Sequence, residues 1–271
     1  MSHKEQFHLF HSVKRKIYYT FIRIIRVITS VFYPKKSPQF LFILSPPYCG
    51  STMLNQLLSS SKNVSCNNNL GTREGQLLPG VNHFMFQKDR WDPQVNYPWE
   101  EVKKVWMRYW DASKPIFLDK SIPNIMRVNE IENVFSPIKY MCMVRNPYAQ
   151  VEGIMRRNKQ DSKSAAEFAI MCLHYQSKNK VRDNALFFSY EELCENGEVI
   201  LKKMIEFVPE LNDIDVNIEF TSHNFKSEVK MINLNEEKIS KISDNDLEII
   251  NSVFVKEEEL LNLFNYKIIK R

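Results

Sequence analysis

Residues 40–60 read FLFILSPPYCGSTMLNQLLSS. An unbroken apolar run stops at two prolines, turns through Tyr-Cys-Gly-Ser-Thr and enters a segment with helical spacing of its leucines. A continuous apolar strand is the kind covered on both faces. When such a strand turns directly into a helix, the turn aims several backbone N–H groups and the positive end of the helix dipole at one point, a ready cradle for an anion. Gly50 permits backbone geometry that other residues resist, and Ser51 and Thr52 can add hydroxyl donors. The bland alternative is an ordinary strand-to-helix turn capped by Ser51 or Thr52. No lysine precedes Ser51, and Tyr48 stands where a phosphate loop usually carries a cation. The pattern G-x-x-x-x-G-K-[ST] is therefore absent, which weighs against magnesium-dependent nucleotide hydrolysis.

Further apolar runs follow at PIFLD (115–119), KYMCMV (139–144) and ALFFS (185–189), like QFLFIL at 39–44. Helical patterns lie between and after them, over 52–60, 99–110, 148–157, 165–181 and 197–207. This rhythm predicts an α/β domain with a central parallel sheet and helices on both faces. Amphipathic pieces at 236–242 and 244–263 would close it. The stretch 71–98 reads as a loop rich in aromatic residues, the kind of long irregular segment that often serves a site. Pro34 to Pro38 marks a hinge, dividing an arm (1–37) from the α/β domain (38–271).

Residues 1–36 hold eight Lys or Arg against one Glu, so of the chain's 37 basic and 32 acidic residues the remainder keeps 29 and 31. The basic character thus belongs to the arm, and a nucleic-acid surface spread over the main domain is not indicated. On a helix, Ile17, Phe21, Ile24, Ile25, Ile28, Val31 and Phe32 share one face, with Arg15, Tyr19, Arg23, Arg26 and Ser30 opposite. Arg23 and Arg26 interrupt the apolar length, which is too short to span a bilayer. Two readings stay open: residues 13–33 lie in an anionic membrane surface, or the helix packs on the protein itself or on a second subunit. Five cysteines without close spacing suggest free thiols in a reducing compartment, hence a cytoplasmic protein, at the inner membrane face if the arm lies there. No Cys or His spacing suggests a metal site.

A second motif, KYMCMVRNPYAQVEGIMRR, ends a strand in Arg145 and starts a helix at Pro147. An arginine at the C-terminal end of a parallel strand stands on the edge where open α/β sheets bind ligands. With SPPYCGSTML, LDKSIP, MVRNPYAQVEGIMRR and FSYEELCENGEVILKKMIEFV in this order, the chain resembles sulfotransferases that use 3′-phosphoadenosine-5′-phosphosulfate (PAPS). The resemblance runs from about Phe40 to Lys267 and is nearest to the bacterial and tyrosylprotein branches. It implies a P-loop-type three-layer fold, PAPS as donor and PAP as product. It implies that Tyr48, Cys49, Gly50, Ser51 and Thr52 hold the 5′-phosphosulfate, that Arg145 binds the 3′-phosphate with Arg157 in support, and that Tyr190 lies close by. Two positions depart from the family pattern: Tyr48 replaces a Lys or Arg, and Gly153 replaces a Ser. Lys120 matches a lysine of the tyrosylprotein branch and is the candidate to supply the missing charge.

Sulfuryl transfer needs a base beside the acceptor hydroxyl. Glu74, in GTREGQLLPG, matches the catalytic Glu of the tyrosylprotein branch; His83 is the rival. The acceptor is open among carbohydrates, glycolipids and small molecules, with Phe84, Phe86, Trp91, Trp99, Trp106 and Trp110 as candidate stacking surfaces or core residues. The competing functions are a P-loop kinase or nucleotide hydrolase, with Asp119 as its metal-binding carboxylate, and a nucleotide binder without catalysis. The oligomeric state is left open.

Overall fold

The computed structural model describes residues 3–33, 38–215, 218, 220 and 231–271, with the backbone alone for 3–12. The hinge expected at Pro34 to Pro38 falls largely on residues outside that description. Five strands form one sheet: β1 (Gln39–Leu44), β2 (Val64–Cys66), β3 (Ile116–Asp119), β4 (Ile138–Val144) and β5 (Ala185–Ser189). Their spatial order is β2-β3-β1-β4-β5 and every pairing is parallel. The helices are α1 (His3–Phe32), α2 (Ser51–Leu58), α3 (Asn82–Met85), α4 (Trp99–Trp106), α5 (Val128–Glu132), α6 (Pro147–Asn158), α7 (Ser162–Lys180), α8 (Tyr190–Glu195), α9 (Gly197–Phe207), α10 (Asn235–Ile239), α11 (Asp244–Phe254) and α12 (Glu258–Leu263).

Alternation along β1 explains the layering. Phe40, Phe42 and Leu44 pack on one face with Trp106, Trp110 and Phe135, while Leu41 and Ile43 pack on the other with Leu54, Leu58 and Met204. All five β1 residues from Phe40 onward are buried, as a strand covered on both sides requires. A third cluster joins α6 and α7 to α11 and α12 through Val151, Ala169, Ile250 and Leu261. The expected three-layer α/β architecture is the one observed.

β1 lies between β3 and β4, so the chain leaves it toward one side of the sheet and later returns to the other. Where strand order reverses in this way, the loops at the C-terminal strand ends part and open a crevice. Residues 45–50 after β1, Lys120 after β3, Arg145 after β4 and Tyr190 after β5 all come to that edge.

Three local expectations change. The periodic stretch 99–110 stays helical only to Trp106, after which tight turns carry Tyr109 and Trp110 into the same core. The segment 71–98 is mostly irregular, as expected, but holds a 3₁₀ turn (Gly75–Leu77) and the short α3. Trp99, Trp106 and Trp110 are core residues and offer no stacking surface.

The arm is helical and packs on the protein itself. The side bearing Tyr19 and Arg26 faces the protein: Tyr19 is buried, its ring meets Tyr109 edge-on at 6.0 Å, and Arg26 pairs with Asp111, while Arg15, Arg23 and Ser30 stay exposed. Tyr18 and Ile22 pack against the core beside Tyr19. The apolar side faces outward, with Ile17, Phe21, Ile24, Val27, Ile28, Val31 and Phe32 exposed, Phe21 by 60% and Val31 by 75%. Among the described residues no helix is long and apolar enough to cross a membrane.

Candidate active site

The β1–α2 loop has the form of an anion cradle. Gly50 caps α2 at φ +90°, a conformation that glycine alone adopts without strain. A Cβ there would fall 2.7 Å from the Tyr190 ring, so the strand end and α8 meet across this glycine. The first-turn N–H groups of an α-helix have no carbonyl ahead of them, which leaves the amides around Ser51 and Thr52 for a ligand. The Cys49 side chain takes no part: it is fully buried and its thiol is pushed up to about 12 by burial.

Arg145 sits beside that cradle. Its Nη1 donates to the Tyr48 carbonyl at 3.3 Å and its Nε to Asn235 Oδ1 at 2.6 Å. The guanidinium lies 4.0 Å over the Tyr190 ring, whose hydroxyl donates to the Ile232 carbonyl at 2.8 Å. Arg145 is 4% exposed, yet its Nη2 has no acceptor among the described residues. A buried charged donor left without a partner is costly, and it is the atom an anionic ligand would satisfy.

Lys120 closes the other side. Its Nζ lies 3.2 Å from the Thr52 hydroxyl and 3.3 Å from Glu74 Oε1, and the side chain is 2% exposed. A cation at the end of β3 therefore touches both the cradle and the carboxylate that sequence singled out as base. Glu74 is buried too, and Gln76 donates to its second oxygen. His83 is exposed on α3, edge-on against Phe84, and among the described residues forms no hydrogen bond or ion pair with Lys120 or Glu74. The geometry brings Glu74 to the cradle and leaves His83 out of it.

Asp119, at the end of β3, is fully buried and its oxygens are fully used. Oδ1 accepts from Asn67 Nδ2 (2.8 Å), Gly75 N (3.1 Å) and Ser121 Oγ (3.2 Å); Oδ2 accepts from Ser121 N (2.9 Å) and Asn124 Nδ2 (3.0 Å). This carboxylate holds the Glu74 loop in place, and its lone pairs do not face the cradle.

A model of the sulfotransferase family matches residues 38–210. The chain belongs to that family. No curated protein matches the chain. Among solved structures it is similar to the sulfotransferase domain of the Synechococcus PCC 7002 olefin synthase, at 20% identity and TM-score 0.56 over 87% of this chain and 97% of that one. It is also similar to a sulfotransferase from Alicyclobacillus acidocaldarius, at 14% identity and TM-score 0.50 over 86% and 97%. A third similar structure, mouse SULT7A1 complexed with PAP, reaches TM-score 0.47 at 15% identity over 89% and 94%.

Against the sulfotransferase pattern, the two departures turn out to be neighbours. Tyr48 has φ +66° and its side chain folds back onto α6, where its hydroxyl donates to Asn158. A Cβ at Gly153 would lie 2.9 Å from the Tyr48 Cβ and 3.0 Å from Cγ. The small residue on α6 is what makes room for the large one in the loop. Tyr48 thus offers its carbonyl to Arg145, while its ring packs on α6. Arg157 is exposed in the last turn of α6, near Tyr48, and Arg156 pairs with Glu152.

One residue that sequence reasoning missed is Lys238 on α10. It is half-buried beside Arg145 and Cys49, and burial, then the Arg145 charge, push its ammonium down to about 8. Asn235, on the same short helix, holds Arg145 and in turn bonds Glu191. No motif marks NEEKI in the sequence; only folding brings it to the rim.

The Tyr48–Gly153 packing has a testable consequence. Gly153→Ser alone should destabilise the protein by about 1–3 kcal/mol through overpacking. Combined with Tyr48→Ala the same serine should cost little, and urea denaturation of the four proteins gives the coupling. Equal cost of the serine in both backgrounds would mean that the two sites are independent.

Proposed function

We propose that this sulfotransferase moves a sulfuryl group from PAPS to a hydroxyl of its acceptor, with Glu74 as base and Lys120 as the cation that stands in for the absent loop Lys or Arg. The reading is carried by one observation: the Lys120 ammonium lies within about hydrogen-bonding reach of both Glu74 Oε1 (3.3 Å) and Thr52 of the cradle (3.2 Å). A base and an electrophilic stabiliser are thereby held next to the place where a 5′-phosphosulfate would rest.

In the proposed reaction the acceptor oxygen bonds to sulfur as the bond from sulfur to the 5′-phosphate oxygen breaks. Glu74 takes the hydroxyl proton during attack. Lys120 and the α2 amides offset the charge that collects on the departing phosphate. At the far end, the unspent Nη2 of Arg145 and the neighbouring Lys238 fit a 3′-phosphate, while Tyr190 supports the arginine from below. A kinase or hydrolase is not favoured, because the carboxylate it would need for magnesium, Asp119, already accepts five protein hydrogen bonds.

Binding and turnover separate these roles. Calorimetry should give the native protein a clear preference for PAP over ADP, and Arg145→Ala should erase it; a preserved preference would take Arg145 out of the nucleotide site. Glu74→Gln should leave PAP affinity near normal and lower turnover about 10²–10⁴-fold in an acceptor panel with labelled PAPS. Near-normal turnover would move the base elsewhere.

Lys238 adds a pH dependence. Its charged form is the one an anion binds, and in the free protein that form is lost as pH rises through about 8. PAP affinity should therefore be highest below pH 8 and fall above it, with proton uptake on binding. Lys238→Met should flatten the profile; an unchanged profile would exclude Lys238.

We further assign the acceptor to membrane-borne carbohydrate or glycolipid and the place of action to an anionic membrane surface. The supporting feature is the outward apolar face of α1, seven large side chains with arginines and lysines on its flanks. Cosedimentation with phosphatidylglycerol vesicles should be strong for the native chain and lost in Phe21→Asp/Ile28→Asp. Equal partition of the two proteins would remove the membrane from this reading.

A further inference from the structure

The docked side of α1 is joined to Glu74 by a path of buried polar groups. The Tyr19 hydroxyl donates to Asn68 Oδ1 at 3.2 Å. The same oxygen accepts the Leu70 N–H at 3.0 Å, and Asn68 Nδ2 donates to the Glu74 carbonyl at 2.8 Å. Asn68 is 1% exposed and Tyr19 9%, so water does not compete for these bonds. A helix more than forty residues upstream is thereby tied to the peptide group of the residue read as base.

That peptide needs holding. Arg73, immediately before Glu74, sits at φ +60°, a left-handed conformation that costs a non-glycine residue free energy. Its side chain is anchored to Asn55 and Asn69. On the other side, Gly75 gives its N–H to Asp119 and its carbonyl accepts from Trp106 Nε1 at 3.2 Å. There is no spare room: a Cβ on Gly75 would fall 2.1 Å from Asp119 Oδ1. The strained turn is clamped from both ends: the Glu74 carbonyl accepts from the Leu77 N–H of its own turn at 3.1 Å and from Asn68, and Asn68 is the donor that links it to α1.

Two features of this clamp distinguish it from general packing. Asn68 uses both ends of its amide, one toward α1 and one toward Glu74, so its orientation is fixed by Tyr19 and Leu70 together. The Glu74 carboxylate, through Lys120, reaches Thr52 of the cradle. A shift of the 74–75 peptide would therefore move the carboxylate relative to the cradle, and a displacement near 1 Å can cost about 10²-fold in rate.

We propose that Tyr19 and Asn68 are positioning residues for Glu74, which makes α1 a working part of the active site. The proposal rests on the reading of Glu74 as base. Its test uses the full chain and compares turnover, acceptor KM, PAP affinity and melting temperature for Asn68→Ala, Tyr19→Phe and the double variant. Asn68→Ala should lower kcat about 10–100-fold, with PAP affinity within about twofold because the Arg145 end is untouched. Tyr19→Phe, which keeps the ring packing and removes one hydrogen bond, should lower kcat about 3–10-fold. In the Asn68→Ala background it should do nothing further, since the path is already cut.

A kcat that stays native in both single variants, or a Tyr19→Phe effect that is the same in both backgrounds, would overturn the proposal. So would a loss confined to melting temperature. If Asn68→Ala does not fold, Tyr19→Phe and Asn68→Asp decide: the aspartate can accept from Tyr19 and Leu70 but cannot donate to the Glu74 carbonyl, so it should lose kcat. Glu74→Gln keeps the two readings apart. If it is inactive while the Asn68 and Tyr19 variants are fully active, Glu74 stands as base and the positioning role falls. If it is fully active, the assignment of the base has failed first.

Discussion

A buried ion pair, Lys120 with Glu74, is the contact around which the rest is arranged. Taking two charges out of water costs several kcal/mol each, and the loss is recovered only when partners satisfy what the pair leaves over. Here Gln76 serves the second carboxylate oxygen and Thr52 faces the ammonium. Replacing one member by an apolar residue would strand the other at a site with almost no solvent. The polar ring of Asn67, Asn68, Asp119, Ser121 and Asn124 keeps the backbone that bears Glu74 at the distance the pair demands.

The sheet makes the pair possible. Because β1 is flanked by β3 and β4, the two chain segments on either side of the first strand end within one crevice, so a lysine from one and an arginine from the other oppose each other across the cradle. The anionic ends of one donor can then be met by separate cations. Tyr48 and Gly153 show how a departure at one position is absorbed by another. The ring takes space on α6 that a serine would need, and the loop keeps its path.

Much of this was legible beforehand. The apolar runs at 39–44, 115–119, 139–144 and 185–189 became β1, β3, β4 and β5, because strands buried on both faces have little choice of composition. Helix α9 coincides with its expected span, others shift by one to four residues at their ends, and the expected 244–263 helix is broken into α11 and α12. β2 was not visible: Val64-Ser65-Cys66 is short and half polar, and only its neighbour β3 makes it a strand. α8 was readable in principle, since Ser189 and Glu192 form a capping box. Glu74 and Lys120 were singled out by resemblance to the tyrosylprotein branch, Lys120 also by its place at a strand end; their direct contact was not legible. Nor were the asparagine ring and Lys238, because hydrogen-bond partners fifty residues apart leave no trace in spacing. For the arm, periodicity found both faces of the helix and left open which one would turn inward; Arg26 with Asp111 and Tyr19 with Asn68 turned their own side in.

Asn235 and Lys238 lie past residue 210, where the recognised family segment stops. A fragment ending there would retain the five described strands and the whole β1–α2 turn, though it would lose the α11 and α12 share of the third apolar cluster. It would also release the guanidinium of Arg145 from its fixed aim and lose Tyr266, whose hydroxyl braces Glu191 beneath Asn235. The contacts that hold Arg145 thus reach past the sheet that defines the shape, into the segment 231–271.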